Sequence, residues 1–105
     1  MTSQLALASM AAFCFTVGGV FMKRADGLQH ASATLLFLLL FSAGAAMQSQ
    51  AMRGAELAST YIVVLGLEAA FALALGGVLF AEAITAPKLA AVALILVGIA
   101  LLRGS

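Results

Sequence analysis

The sequence has 105 residues, of which 65% are hydrophobic and 9% are charged. Charged residues make up about a quarter of an ordinary soluble domain, so this composition excludes a soluble globular protein and indicates an integral membrane protein. The formal net charge of +1 comes without a cluster of basic residues, which excludes a nucleic-acid partner.

The first half of the chain contains two apolar segments, and about 20 apolar residues cross a bilayer. The first helix is predicted at about residues 5–22, before the charged turn Lys23-Arg24-Ala25-Asp26-Gly27. No basic residue precedes this segment, so we expect a retained membrane helix rather than a secretory signal. The second helix is predicted at about residues 31–50, and the loop Arg53-Gly54-Ala55-Glu56 follows it.

The second half repeats this arrangement. A third helix is predicted at about residues 57–80, and a fourth at about 86–102 with Thr85 as its N-cap and Pro87 in its first turn. Lipid permits only helices or closed barrels, and these segments lack the period-two alternation of barrel strands. The sequence therefore predicts an all-α, four-helix transmembrane bundle, with residues 1–105 as a single domain.

Basic residues give almost no orientation signal. If both termini lie on one side, that side holds Arg53 and Arg103, and the other side holds Lys23, Arg24 and Lys88. Topology follows the excess of Lys and Arg in the loops. We therefore expect insertion in both orientations, or orientation by a partner.

Glu68 is the most informative residue of the chain, because it lies at the middle of the third apolar segment. An ionisable side chain at that depth faces a bundle interior or a watery cavity and is functional by default. A single carboxylate binds either a proton or an organic cation, so the two compete. The alternative is a structural role, in which Glu68 pairs with a buried donor of its own bundle or of a partner.

Two further residues of the third helix are candidates for the same site. Tyr61 lies two turns before Glu68 on the same helix face and offers an aromatic wall or a hydroxyl group. Gly66 lies two residues before Glu68, where a weakened helix could act as a hinge, although helix packing is the alternative.

Small residues predict where helices approach each other in lipid. Ala91 and Gly98 are seven residues apart on one face of the fourth helix, and Ala72 and Gly76 lie on the third. Cys14 is the only cysteine and lies in an apolar run, so we expect no disulfide, metal site or cofactor.

The chain resembles the small multidrug resistance proteins of the drug/metabolite transporter superfamily over nearly its whole length. The similar segments are Gly18-Gly19-Val20-Phe21-Met22-Lys23 with Asp26-Gly27, Tyr61 with Gly66, the turn Phe80-Ala81-Glu82-Ala83-Ile84-Thr85-Ala86-Pro87, and the spacing of Ala91 and Gly98. The turn is also similar to that of the larger, ten-helix EamA-like members. The resemblance implies helix packing or dimer contacts at the small residues, including Gly18 and Gly19.

The resemblance also implies a function. It implies a multi-pass protein of the inner membrane, not an enzyme, that forms a dimer, typically antiparallel, and exports organic cations in exchange for protons. In that family the central acid lies in the first helix, at the position of Cys14 or Phe15, and a tryptophan is expected near Val64. Both are absent here. One interpretation is that Glu68, on the third helix, has taken over the role of the acid.

Two other interpretations stay open. The chain could be a component of a lipid-linked sugar flippase, or one subunit of a heterodimer with a related chain. It could also be an accessory structural subunit of a larger membrane complex, in which Glu68 pairs with a neighbour.

Overall fold

The computed structural model describes residues 2–104 of the chain, and the side chains of residues 4–102. Within that range it contains four α-helices and no strand: α1 (Thr2–Arg24), α2 (Ala31–Ala51), α3 (Leu57–Leu79) and α4 (Ala86–Gly104). The predicted all-α, four-helix fold is confirmed. The side chain of Arg103, which entered the orientation count, lies outside the described range.

Three helices of the described chain are long and apolar enough to cross a membrane, namely Gln4–Arg24, Ala31–Ala51 and Leu57–Leu79. The apolar stretch of α4, Ala86–Leu102, is shorter and lies at the lower limit of the lengths that span a bilayer. The chain is therefore a multi-pass membrane protein, and the crossing by α4 stays a prediction.

Short connections join the helices. Lys23 and Arg24 continue α1 beyond the predicted residue 22, because cationic side chains are favourable at the C-terminal end of a helix. The following turn passes through Gly27 with φ +69, a conformation that glycine adopts without steric cost. Before α4, the Thr85 hydroxyl accepts a hydrogen bond from the Lys88 N–H at 3.5 Å, as expected of an N-cap.

Helix α1 is the centre of the packing. It packs most extensively against α2 and also against α3, whereas α2 and α3 barely touch each other. Gly18 of α1 lies against the ring of Phe41, and Gly44 of α2 lies against the ring of Phe15. These two rings meet edge to face at 5.6 Å between centroids. The glycines let the backbones approach closely, as helices in lipid require.

Helix α4 packs only against α3 among the four helices. The contact forms where Gly66 of α3 faces Ile95 and Ile99. Most of the remaining surface of α4 is uncovered, with Leu94 at 73% and Leu101 at 71% exposure. The apolar surface of α4 is thus left to lipid or to another chain.

Candidate functional site

Glu68 is half-buried and lies at the centre of α3, with eleven residues on either side of it in Leu57–Leu79. Its carboxylate forms no ion pair and no hydrogen bond with any residue in the described range. The structural alternative requires a buried donor for Glu68, and no described residue of the same chain provides one. A carboxylate at this depth needs water, a proton or a ligand instead.

Two cavities adjoin Glu68. The first, here called the Lys23 cavity, lies between α1 and α3, has a volume of about 210 Å³ and is bordered by Thr16, Lys23, Gly76 and Glu82. The second, here called the Gln48 cavity, has a volume of about 440 Å³ and is bordered by Phe41, Gln48, Ser49 and Tyr61. Glu68 and Phe15 line both cavities.

The two cavities extend from Glu68 toward opposite ends of the bundle. Lys23 lies at the end of α1, and Glu82 lies in the connection that follows α3. Gln48 and Tyr61 lie near the other ends of the helices, at the end of α2 and the start of α3. Glu68 therefore lies between one cavity that extends toward each end of the bundle.

Thr16 fixes the segment of α1 that faces Glu68. It is buried, and its hydroxyl donates a hydrogen bond of 2.8 Å to the carbonyl oxygen of Ala12. The same hydroxyl lies 3.4 Å from the carbonyl oxygen of Glu68. This contact ties α1 to α3 at the level of the carboxylate.

An ion pair lies at the far end of the Lys23 cavity. Lys23 Nζ lies 2.5 Å from Glu82 Oε2 and 4.6 Å from the centroid of the Phe80 ring. The hydrogen bond and the positive charge of Lys23 hold the pKa of Glu82 below its usual value. The sequence alone does not predict this pair, because the fold joins residues that are 59 positions apart.

The predicted site residues are distributed over several places. Tyr61 lines the Gln48 cavity together with Glu68. Gly66 lines neither cavity and is buried against Ile95 and Ile99 of α4.

Of the predicted packing residues, some pack within the chain and others are exposed. Gly18 packs against Phe41 within the chain, whereas Gly19 is open and borders the Lys23 cavity. Ala91 is exposed on α4, and Gly98 has no neighbour within 4 Å of the place where a Cβ would stand.

Gln48 lines a cavity beside Glu68 but is not among the site residues predicted from the sequence. Gln48 lies one turn before the end of α2, where a polar residue is easily interpreted as the fading end of an apolar segment. In the structure it is only 8% exposed and borders a cavity. A signal was present in the spacing, since Gln48 shares a helix face with Phe41, Gly44 and Ala45 rather than with Gln50.

A family model described as Small Multidrug Resistance protein matches residues 4–95 of the chain. The matched range includes Tyr61, Gly66, Glu68 and Ala91, and ends before Gly98. No curated protein matches the chain.

Proposed function

Because the chain belongs to the Small Multidrug Resistance protein family, we propose that it exports organic cations in exchange for protons, with Glu68 as the carboxylate that binds both. The family and the apolar helices make the chain a small multi-pass membrane transporter rather than an enzyme. The inner membrane is the proposed location.

The position of Glu68 between two cavities carries the proposal. Exchange requires one group that is reached from each side of the membrane in turn, and that holds either a proton or a cation. Glu68 borders both the Lys23 cavity and the Gln48 cavity. It has no cationic partner within the described range, so the charge is free to bind an exchanged species.

Phe15 supports the transfer of the acid from the first helix to the third. The resemblance places the acid of the family at Cys14 or Phe15. Phe15 lines the same two cavities as Glu68. A carboxylate on α3 therefore faces the same space that an acid at Phe15 would face from α1. We propose that Glu68 performs on α3 the role of the family's first-helix acid.

The uncovered surface of α4 supports association of two chains, because α4 packs only against α3. Ala91 and Gly98 are both exposed on it, and small residues favour close helix contacts in lipid. We propose a homodimer of oppositely inserted copies, in keeping with the weak charge bias. Two such copies would form the inverted repeat that secondary transporters use for alternating access. A related second chain is the alternative partner.

Binding of an organic cation to the purified protein at pH 5 to 9 tests the proposal. We expect affinity to fall as the pH is lowered, because protons displace the cation from Glu68. Glu68→Gln should lose both the affinity and the pH dependence. Glu56→Gln is the matched control, because Glu56 is exposed at the start of the same helix and its contact to Ser59 needs only an acceptor.

The possible results separate the three interpretations. Unchanged binding by Glu68→Gln would refute the role of this carboxylate. A native protein that binds no cation at any pH would refute cation export altogether, and a lipid-linked substrate or an accessory structural role would then take its place.

A further inference from the structure

We propose that Gln48, with Ser49 and Tyr61, forms a second polar station in the Gln48 cavity, which binds the uncharged polar end of an elongated cation whose charged end is at Glu68. This inference rests on the proposed function, and it adds the shape and chemistry of the substrate. The substrate class is a primary or substituted ammonium that carries a hydroxyl or similar group at the far end of a hydrocarbon chain.

The burial of Gln48 is the first observation. Its side chain belongs to an apolar helix and is only 8% exposed, yet its amide has no hydrogen-bond partner among residues 4–102. No fully buried side-chain N or O atom in that range lacks a partner, so the amide atoms keep access to the cavity that Gln48 lines. A polar group inside a membrane protein is costly unless water or a ligand satisfies it.

The other glutamines of this end of the bundle show that Gln48 is different. Gln4 donates a hydrogen bond of 2.6 Å from Nε2 to the carbonyl oxygen of Arg53, so its amide has a partner. Gln50 is exposed and does not border the cavity. Among these three, Gln48 alone is buried, lacks a side-chain hydrogen bond within residues 4–102 and lines the cavity.

The distance to Glu68 determines what the station can bind. Tyr61 and Glu68 are seven residues apart on α3, which is two turns or roughly 10 Å along the helix axis. Gln48 lies at the level of Tyr61, because it is near the end of α2 and Tyr61 is near the start of α3. One ammonium group cannot reach both levels, so the station serves a different part of the ligand.

The lining between the two levels is apolar. Ala45 and Leu65 border the cavity there and suit a hydrocarbon spacer. The station itself consists of an amide and two hydroxyl groups, which both donate and accept hydrogen bonds. Glu68 is the only charged residue among those that border this cavity in the described chain. The far end of the ligand is therefore polar and uncharged. The volume of about 440 Å³ lies within the range of small-molecule sites.

Two matched probes test the inference, octylamine and the aminooctanol with its hydroxyl at the opposite end. We expect the native protein to bind aminooctanol more tightly than octylamine at one pH. Gln48→Met, which keeps the length of the side chain, should weaken aminooctanol by about two- to tenfold, the value of one neutral hydrogen bond, and leave octylamine unchanged. Gln50→Met is the control and should change neither probe.

A second comparison needs no variant. Aminobutanol is too short to span two helical turns, so its hydroxyl should give no gain over butylamine on the native protein. Equal affinities for octylamine and aminooctanol, or a hydroxyl gain that is independent of chain length or survives Gln48→Met, would overturn the station and leave the role of Glu68 intact. Absence of binding by every amine would overturn the station together with the proposed function.

Discussion

Replacement of Gly66 by Ala tests the contact that holds α4 against α3. The new Cβ would lie 2.8 Å from Cγ2 of Ile95 and would also overlap Cδ1 of Ile99. The end of the Ile99 side chain can rotate away. In contrast, Cγ2 of Ile95 is bonded directly to the β-carbon of a stiff, β-branched residue, so α4 has to move. Overpacking lowers the free energy of unfolding by about 1–3 kcal/mol, whereas replacing a helical glycine by alanine raises it by about 0.5–1 kcal/mol. We expect a net loss of about 1 kcal/mol, within a range of about 0 to 2.5 kcal/mol.

Reversible unfolding in detergent measures this free energy. Gly19→Ala is the matched control, because Gly19 is also helical but has no neighbour within 4 Å of an added Cβ, and it should be as stable as the native chain or slightly more stable. Ile95→Ala, combined with Gly66→Ala, removes the overlapping atom and should make the double variant less destabilised than the sum of the single ones. A Gly66→Ala protein of native stability, with no coupling to Ile95, would refute the packing contact. A hinge at Gly66 predicts a different result, a loss of transport without a loss of stability.

Two smaller perturbations examine the walls of the site. Thr16→Val should destabilise the protein by about 0.5–1 kcal/mol in the same unfolding assay, because the carbonyl oxygens of Ala12 and Glu68 lose a buried hydroxyl donor. Thr34→Val removes a hydroxyl that is bonded only to the carbonyl oxygen of His30 and should cost less. Equal effects would contradict the contact between Thr16 and Glu68. At Glu82 the lowered pKa means that the stabilisation by Lys23 is complete above the ordinary carboxyl pKa and is lost as the pH falls through the lowered one. Titration of the Glu82 carboxyl by NMR should show a shift of its pKa toward the ordinary value in Lys23→Met, with the charge of Lys88 still lowering it. An identical titration in both proteins would show that the ion pair does not form in solution.

Hydropathy and length were sufficient to predict the fold class. Each apolar segment is bounded by charged or glycine-containing turns, and lipid leaves the backbone few alternatives to a helix. The central position of Glu68 also follows from counting residues along α3. The fold class and the central position of Glu68 depend only on residues that are close in sequence, so the sequence alone is sufficient to predict them.

The cavities could not be predicted from sequence neighbours, because they form where two helices of the bundle are not in close contact. Val64 lies one turn before Glu68 on the same helix face, but it is 1% exposed and belongs to the core rather than to a cavity. The gap between α2 and α3 arises because α1 lies between them in the packing. Gln48 and the pair of Lys23 and Glu82 acquire their roles only from that arrangement.

The isolation of α4 has a consequence for the order in which the protein assembles. No residue of α4 borders either cavity in the described chain, and α4 is synthesised after α1, α2 and α3. The pairing of α1 with α2 is local in sequence and extensive, and local contacts form early. The helices that border the two cavities can therefore pack together while α4 is still being synthesised. Docking of α4 onto α3 can follow the packing of the other three helices, because α4 contacts none of the others.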